Sequence, residues 1–389
     1  MPLFFMPMWK QLKNIFHRQP SRKKIYIHAG THKTGSTYLQ ETLYANRALL
    51  RENGVLYPET GLGIQHKHNR HAHRQIAFSL SKEDDTAENL FEPIIQELLR
   101  TDDLHTAIIS YEGFCMPKHT KSMHKILKSF DEVDLHIIFV FRPHVDFAIS
   151  LFREICQNLK YRPSFYQFYK QALSADHGWP WLLNYHAILQ KWHEFIPKNK
   201  IHILAYSQIK NDLCHNFLKG IGIDVKMEPL KNNQRNPTLS APLAELMRVL
   251  NFSDWKHVKL QAFGREILQV DIKNPAFAKY CEITPEIAQE IETAFKKDRH
   301  QIKKMFGRKI NVNDLKLNGE WKWADNTHVE ATLDDSIKAV ISHLEETKQQ
   351  KLLLAFKDAL DQAYKSDLNS IRNTWLYNNE GELKHLIIP

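Results

Sequence analysis

The residues best placed to do chemistry form one loop, Gly30-Thr31-His32-Lys33-Thr34-Gly35-Ser36-Thr37. Gly30 and Gly35 keep the spacing of the nucleotide-hydrolase pattern G-x-x-x-x-G-K-[ST], and Thr37 keeps its hydroxyl position. Ser36 fills the lysine slot, and the loop's lysine stands three residues earlier, at Lys33. An apolar strand is predicted over 25–29 before the loop, and a helix over about 36–50 after it. Backbone N–H groups and a helix N-terminus arranged in this way can cradle an anion. The displaced cation points away from ATP hydrolysis and toward a different phosphorylated donor.

Two further stretches can join the loop. Phe141-Arg142-Pro143 ends an apolar run and opens a predicted helix that carries Ser150 eight residues after the arginine. The guanidinium is a fixed fork of donors suited to phosphate oxygens, and a serine two turns along the helix adds a hydroxyl. Ile109-Ser110-Tyr111-Glu112 lies just past another predicted strand. In open α/β sheets, ligands bind beyond the carboxyl ends of strands, so Glu112 can face a donor held by the loop, or simply cap the loop that follows.

Together, Thr-His-Lys-Thr-Gly-Ser-Thr after an apolar strand and the arginine–serine spacing resemble the sulfotransferases that use 3′-phosphoadenosine 5′-phosphosulfate (PAPS), the bacterial members above all. The resemblance covers about residues 23–310. It implies that the loop, with Thr31, Lys33, Thr34, Gly35, Ser36 and Thr37, binds the 5′-phosphosulfate, and that Arg142 and Ser150 bind the 3′-phosphate. Lys33 would stabilise charge on the departing phosphate, with His32 beside it. Glu112 would take the acceptor's proton, although other branches of the family use histidine. Tyr206, after a later strand, would lie against the adenine, and Arg235, in a late loop, would reach a phosphate. The co-substrate is then PAPS and the product 3′,5′-ADP. No apolar run ends in a magnesium-binding aspartate, so no metal is expected. The acceptor implied is a hydroxyl, most simply on a glycan.

A histidine-rich stretch, His66-Lys-His68-Asn-Arg70-His71-Ala-His73-Arg74, suggests a metal site at first sight. Its interleaved cations and its lack of a thiol or carboxylate argue against one. A substrate-facing loop through His71, His73 and Arg74 and a solvated polar loop both remain open. Trp179-Pro180-Trp181 reads equally as acceptor contact or as core.

The elements needed to position these residues are present. Short, nearly continuous apolar runs at 25–29, 106–110, 136–141 and 201–205 read as parallel strands buried on both faces. Helical segments near 90–100, 121–130, 145–160 and 182–195 lie between them. This βαβ rhythm predicts an α/β fold: a P-loop-type parallel sheet flanked by helices, with a helical C-terminal extension. Helices are predicted over 240–251 and 284–306, the latter opened by Thr284-Pro285. The domain reading is a basic amphipathic segment at 1–22, a sulfotransferase-like domain at 23–312, and a mainly helical addition at 313–389. The addition carries helix-spaced apolar faces at 333–344 and 350–366. These could pack on the same chain or, as in a homo-oligomer, on a second subunit.

The chain has 389 residues, of which 43% are hydrophobic, and a net charge of +9. That surplus suits an anionic donor, an anionic polymer or an acidic membrane surface. Nucleic acid is not favoured, because no recognition motif accompanies the charge. Cys115, Cys156, Cys214 and Cys281 show no metal or redox spacing and read as isolated thiols in a reducing compartment. No run approaches the length of a membrane span, and the N-terminus lacks a signal-cleavage pattern. Trp9, Leu12, Ile15 and Phe16 share a helical face and basic residues follow. Residues 1–24 are therefore either an interfacial helix or a basic leader. The location expected is cytoplasmic, with peripheral contact at the inner membrane face as an option. A non-catalytic or kinase-like P-loop protein that acts through its helical tail is the alternative reading.

Overall fold

The computed structural model describes residues 22–64, 70–80, 82, 85–116, 123, 127–158, 160–175, 178–230, 238–281, 283–307, 310–317 and 327–366. Five parallel strands, β1 (Lys24–His28), β2 (Val55–Leu56), β3 (Thr106–Ser110), β4 (Asp134–Phe141) and β5 (Ile201–Ala205), form one sheet in the order β2-β3-β1-β4-β5. The four strands expected from the apolar runs are all present, within two residues at their ends. The two-residue edge strand β2 was too short to show a pattern.

Residues alternate between the two faces of the sheet, as a pleated strand requires. Ile25, Ile27, Ala107, Ile109, Ile137, Phe139 and Phe141 enter one core, with residues from the helices covering that face. Tyr26, Ile108, Ile138 and Val140 enter a second, with Leu39, Leu43 and Phe217. Both faces are therefore buried, which explains why the strands read as continuous apolar runs.

β1 sits at the centre, with β3 and β4 as its neighbours. Its connection feeds helix α1 (Ser36–Ala45), and the connection after β4 feeds helix α2 (His144–Asn158). Loops from the carboxyl ends of three adjacent strands thus carry Gly30–Thr37, Glu112 and Arg142 to the same edge of the sheet.

Two predicted helices are broken. The helix expected over 36–50 ends at Ala45 and resumes at Arg47. Between them, Asn46 accepts from Glu228 N–H and donates to the Thr42 and Glu228 carbonyls, which ties the chain to a distant segment. The helix expected over 284–306 divides at Phe295, whose buried ring stacks on His144 at a centroid distance of 4.7 Å. In the segment expected to be helical at 121–130, the described residues include a short 3₁₀ turn, Leu127–Phe130.

A third core lies apart from the sheet. Helices α3 (Ala241–Leu250) and α4 (His257–Lys273) pack against α5 (Thr327–Glu346) and α6 (Gln350–Ser366). Leu243, Met247, Phe263, Val340, Leu344, Phe356 and Leu360 meet there. The apolar faces of the last two helices are therefore covered within the chain, and α3 and α4 join this core to α2 of the sheet domain. All four cysteines are buried and free. No helix among the described residues is long and apolar enough to cross a membrane. The N-terminal segment before Arg22 lies outside the described residues, as do Arg235, His66 and His68.

Candidate active site

The loop after β1 is built by its own hydroxyls. Thr31 is fully buried, and its Oγ1 donates to the Val140 carbonyl at 3.1 Å. Thr34 Oγ1 donates back to the Thr31 carbonyl at 2.7 Å. Ser36 and Thr37, by contrast, hydrogen-bond through their side chains to no other described residue. The four hydroxyls look alike in the sequence and divide by role: Thr31 and Thr34 shape the loop, while Ser36 and Thr37 remain unspent.

Both glycines are needed for close approach. Gly30 has φ +89°, and a Cβ there would stand 2.9 Å from the Cα of Glu112. Gly35 has φ +78°, and a Cβ there would stand 2.6 Å from Leu213. Gly35 precedes α1, which no side chain caps and which has no acid in its first turn. The orphan N–H groups of that turn, with the partial positive charge of the helix end, can take up an anion.

Arg142 closes the loop from β4. Its Nη1 donates to the Lys33 carbonyl at 2.9 Å, and its guanidinium carbon lies 5.1 Å from the centre of the Tyr206 ring. A Cβ on Gly35 would also come within 3.7 Å of Tyr206. Lys33, Gly35, Arg142 and Tyr206 therefore converge. Lys33 takes a left-handed backbone (φ 59°), and its ammonium pairs with no described residue. Two buried side-chain nitrogens here also lack partners among the described residues: Arg142 Nε and His32 Nε2. The His32 ring packs edge-on against Trp179 at 5.0 Å. Trp181 belongs to the core. Ser150, nearly buried on α2, has no hydrogen-bond partner among the described residues. One turn into α2, burial raises the Asp146 carboxyl above its ordinary range, while the charges of Arg142 and Lys210 oppose the shift.

Glu112 opens a 3₁₀ turn directly after β3 and is only 6% exposed. Its Oε2 accepts from Gln40 Nε2 at 2.9 Å. The same amide approaches Ser110 Oγ at 3.3 Å, and Ser110 Oγ lies 2.8 Å from His28 Nδ1. Burial pushes the His28 imidazole down to about 4, against the opposing pull of the Glu112 charge, so it is neutral at pH 7. Gln40 was missed in the sequence. The available signal was a polar residue beside Leu39 and Leu43, on the buried side of a short helix.

The histidine stretch divides as well. His73 is fully buried: Nδ1 accepts from Ser110 N–H at 3.0 Å, and Nε2 donates to the Pro58 carbonyl at 2.9 Å. Burial also pushes it down to about 4. Both of its nitrogens are spent inside the protein. His71 stacks on Tyr44 at 3.8 Å, and its Nδ1 meets Glu41 Oε2 at 2.6 Å. The Arg74 guanidinium lies over Phe78 at 4.4 Å. Tyr57 lies between this loop and Glu112: its hydroxyl donates to the His71 carbonyl, and its ionisation is opposed by burial, then by the charges of Glu41 and Glu112.

The sulfotransferase domain model matches residues 23–305, about three quarters of the chain. The chain belongs to the sulfotransferase family. No curated protein matches it. One solved structure, a sulfotransferase from Alicyclobacillus acidocaldarius, shares 11% identity over 72% of this chain and 94% of that one, with a TM-score of 0.39. That likeness is too slight to carry an argument about site or substrate. As a sulfotransferase, this protein transfers a sulfuryl group. The edge of its sheet that carries Gly30–Thr37 also holds Lys33, Arg142 and the buried carboxylate of Glu112.

Proposed function

We propose that this sulfotransferase takes its sulfuryl group from PAPS and delivers it to a hydroxyl of a glycan. One observation carries the reading. Lys33, Arg142 and the uncapped start of α1 gather at the cradle with donor groups unspent, and the backbone of Glu112 lies against Gly30.

PAPS fits these residues by chemistry. The glycine cradle, Ser36, Thr37 and Lys33 would hold the 5′-phosphosulfate. Arg142 and Ser150 would hold the 3′-phosphate, Tyr206 would lie against the base, and Arg235 would add a phosphate contact. Bound there, the donor supplies a sulfur atom joined to a good phosphate leaving group. Glu112 takes the proton of the acceptor hydroxyl as that oxygen forms its bond to sulfur. The electron pair of the breaking sulfur–oxygen bond stays on the departing phosphate oxygen. Lys33 and the loop N–H groups stabilise the charge that develops on that oxygen. His32, beside Lys33, offers a further contact. Of the acceptor-side candidates, His71 and Arg74 are better suited to meet a substrate than His73, whose ring is satisfied internally. Residues 1–24 would bring the enzyme to an acidic membrane surface.

The test is transfer of label from ³⁵S-PAPS to surface polysaccharides of the source cell. Label in the polysaccharide, with release of 3′,5′-ADP, is the expected result. Magnesium-stimulated ATP hydrolysis with no response to PAPS would replace this reading with the kinase-like one.

A further inference from the structure

Gln40 holds the carboxylate of Glu112 from the same helix whose first turn forms the anion cradle, and we infer that it is the positioning residue for the base. The inference rests on the reading of Glu112 as base. A polar side chain only 1% exposed is costly unless its groups are paired. The amide nitrogen of Gln40 is paired twice, to Glu112 Oε2 at 2.9 Å and Ser110 Oγ at 3.3 Å, while its Oε1 is buried without a partner among the described residues. The side chain accepts an unsatisfied oxygen in order to point its donors at the glutamate. Its neighbours on the helix, Leu39 and Leu43, show what the position would otherwise carry.

The rest of the chain is neutral. Ser110 Oγ accepts from Gln40 and lies 2.8 Å from His28 Nδ1, to which it either donates or from which it accepts a second bond. His28 Nε2 is buried without a partner among the described residues, and burial keeps the ring neutral. His28, Ser110 and Gln40 therefore meet Glu112 with neutral groups only. A lysine or arginine at position 40 would fix Glu112 equally well but would neutralise it by ion pairing and weaken it as a base. An amide fixes one oxygen and leaves the other for the acceptor's proton. Because Gln40 lies five residues after Gly35, donor cradle and base are placed by one rigid element.

The test needs no acceptor. In the full-length protein labelled with ¹³C-carboxyl glutamate, the Glu112 resonance is identified by its loss in Glu112→Gln and followed at pH 7. Replacing Gln40 with methionine removes the donor to Oε2 and should displace that resonance. Gln40→Glu keeps the side-chain length, removes the amide donor and should displace it as well, which covers the case in which Gln40→Met does not fold. An unmoved resonance in either folded variant overturns the assignment. Calorimetry of 3′,5′-ADP with the wild-type protein reports on the donor reading separately. A displaced resonance without 3′,5′-ADP binding would sink the donor reading and leave the Gln40–Glu112 coupling standing.

Discussion

The donor end of the site and the histidine loop beside it are built from similar residues and treat them in opposite ways. Around the cradle, Lys33 has no partner among the described residues, and Arg142 Nε and His32 Nε2 are buried without one. In the loop, His73 spends both nitrogens on the backbone of Ser110 and Pro58, and His71 gives Nδ1 to Glu41. A buried polar group left unsatisfied costs about 1–3 kcal/mol. At the donor end of the proposed site a bound ligand would repay that cost, whereas at His73 it has been removed. At these two places, then, similar residue types divide between groups left open to a ligand and groups used up in building the fold.

The largest expected effects lie on the unspent side. Glu112→Gln should lower sulfuryl transfer by about 10²–10⁴, the usual contribution of a general base. Lys33→Ala should lower it by about 10²–10³, the loss typical of one preorganised charge-stabilising donor. Circular dichroism and melting temperature should stay near wild type in both. A variant that keeps full turnover removes that residue from the mechanism.

On the spent side, the effect should appear in stability. His73→Ala leaves Ser110 N–H and the Pro58 carbonyl without their partner and should cost about 3 kcal/mol in denaturant unfolding. The pH dependence has a definite sign. His28 and His73 are held down to about 4 when folded, against about 6.5 in an unfolded chain. Between those values the unfolded chain binds more protons, so stability is lost as pH falls from 6.5 toward 4. Each histidine contributes up to about 3 kcal/mol across that window. A melting temperature that is flat from pH 7 to 4.5 would contradict this. The smallest effect is expected at His71, whose pair with Glu41 is partly exposed, at 23% and 36%. His71→Gln should change stability by under about 1 kcal/mol, and any larger loss should appear in acceptor use.

The sheet and the glycine loop before α1 were legible from the chain because both follow from local pattern. Strands buried on both faces read as unbroken apolar runs, and two glycines at fixed spacing read as a loop. Long-range pairing was not legible. Nothing in the sequence near Asn46 announces its bonds to Glu228, and nothing near Phe295 announces its stacking on His144. The division of the hydroxyls and histidines into building and unspent groups depends on which backbone carbonyl lies opposite. That is a property of the packed sheet. Gln40 escaped notice for the same reason, since its meaning comes from Glu112, seventy-two residues away.

The central claim is that the edge of the sheet around Gly30–Thr37 and Arg142 binds a donor with two phosphate positions. The most direct measurement is calorimetric titration with 3′,5′-ADP, without magnesium, of wild type and Arg142→Ala. The account predicts saturable one-to-one binding by the wild type and a loss of at least about tenfold in affinity in the variant, as expected when a charge-assisted phosphate contact is removed. No heat of binding with the folded wild type, or equal affinity in the two proteins, would contradict it.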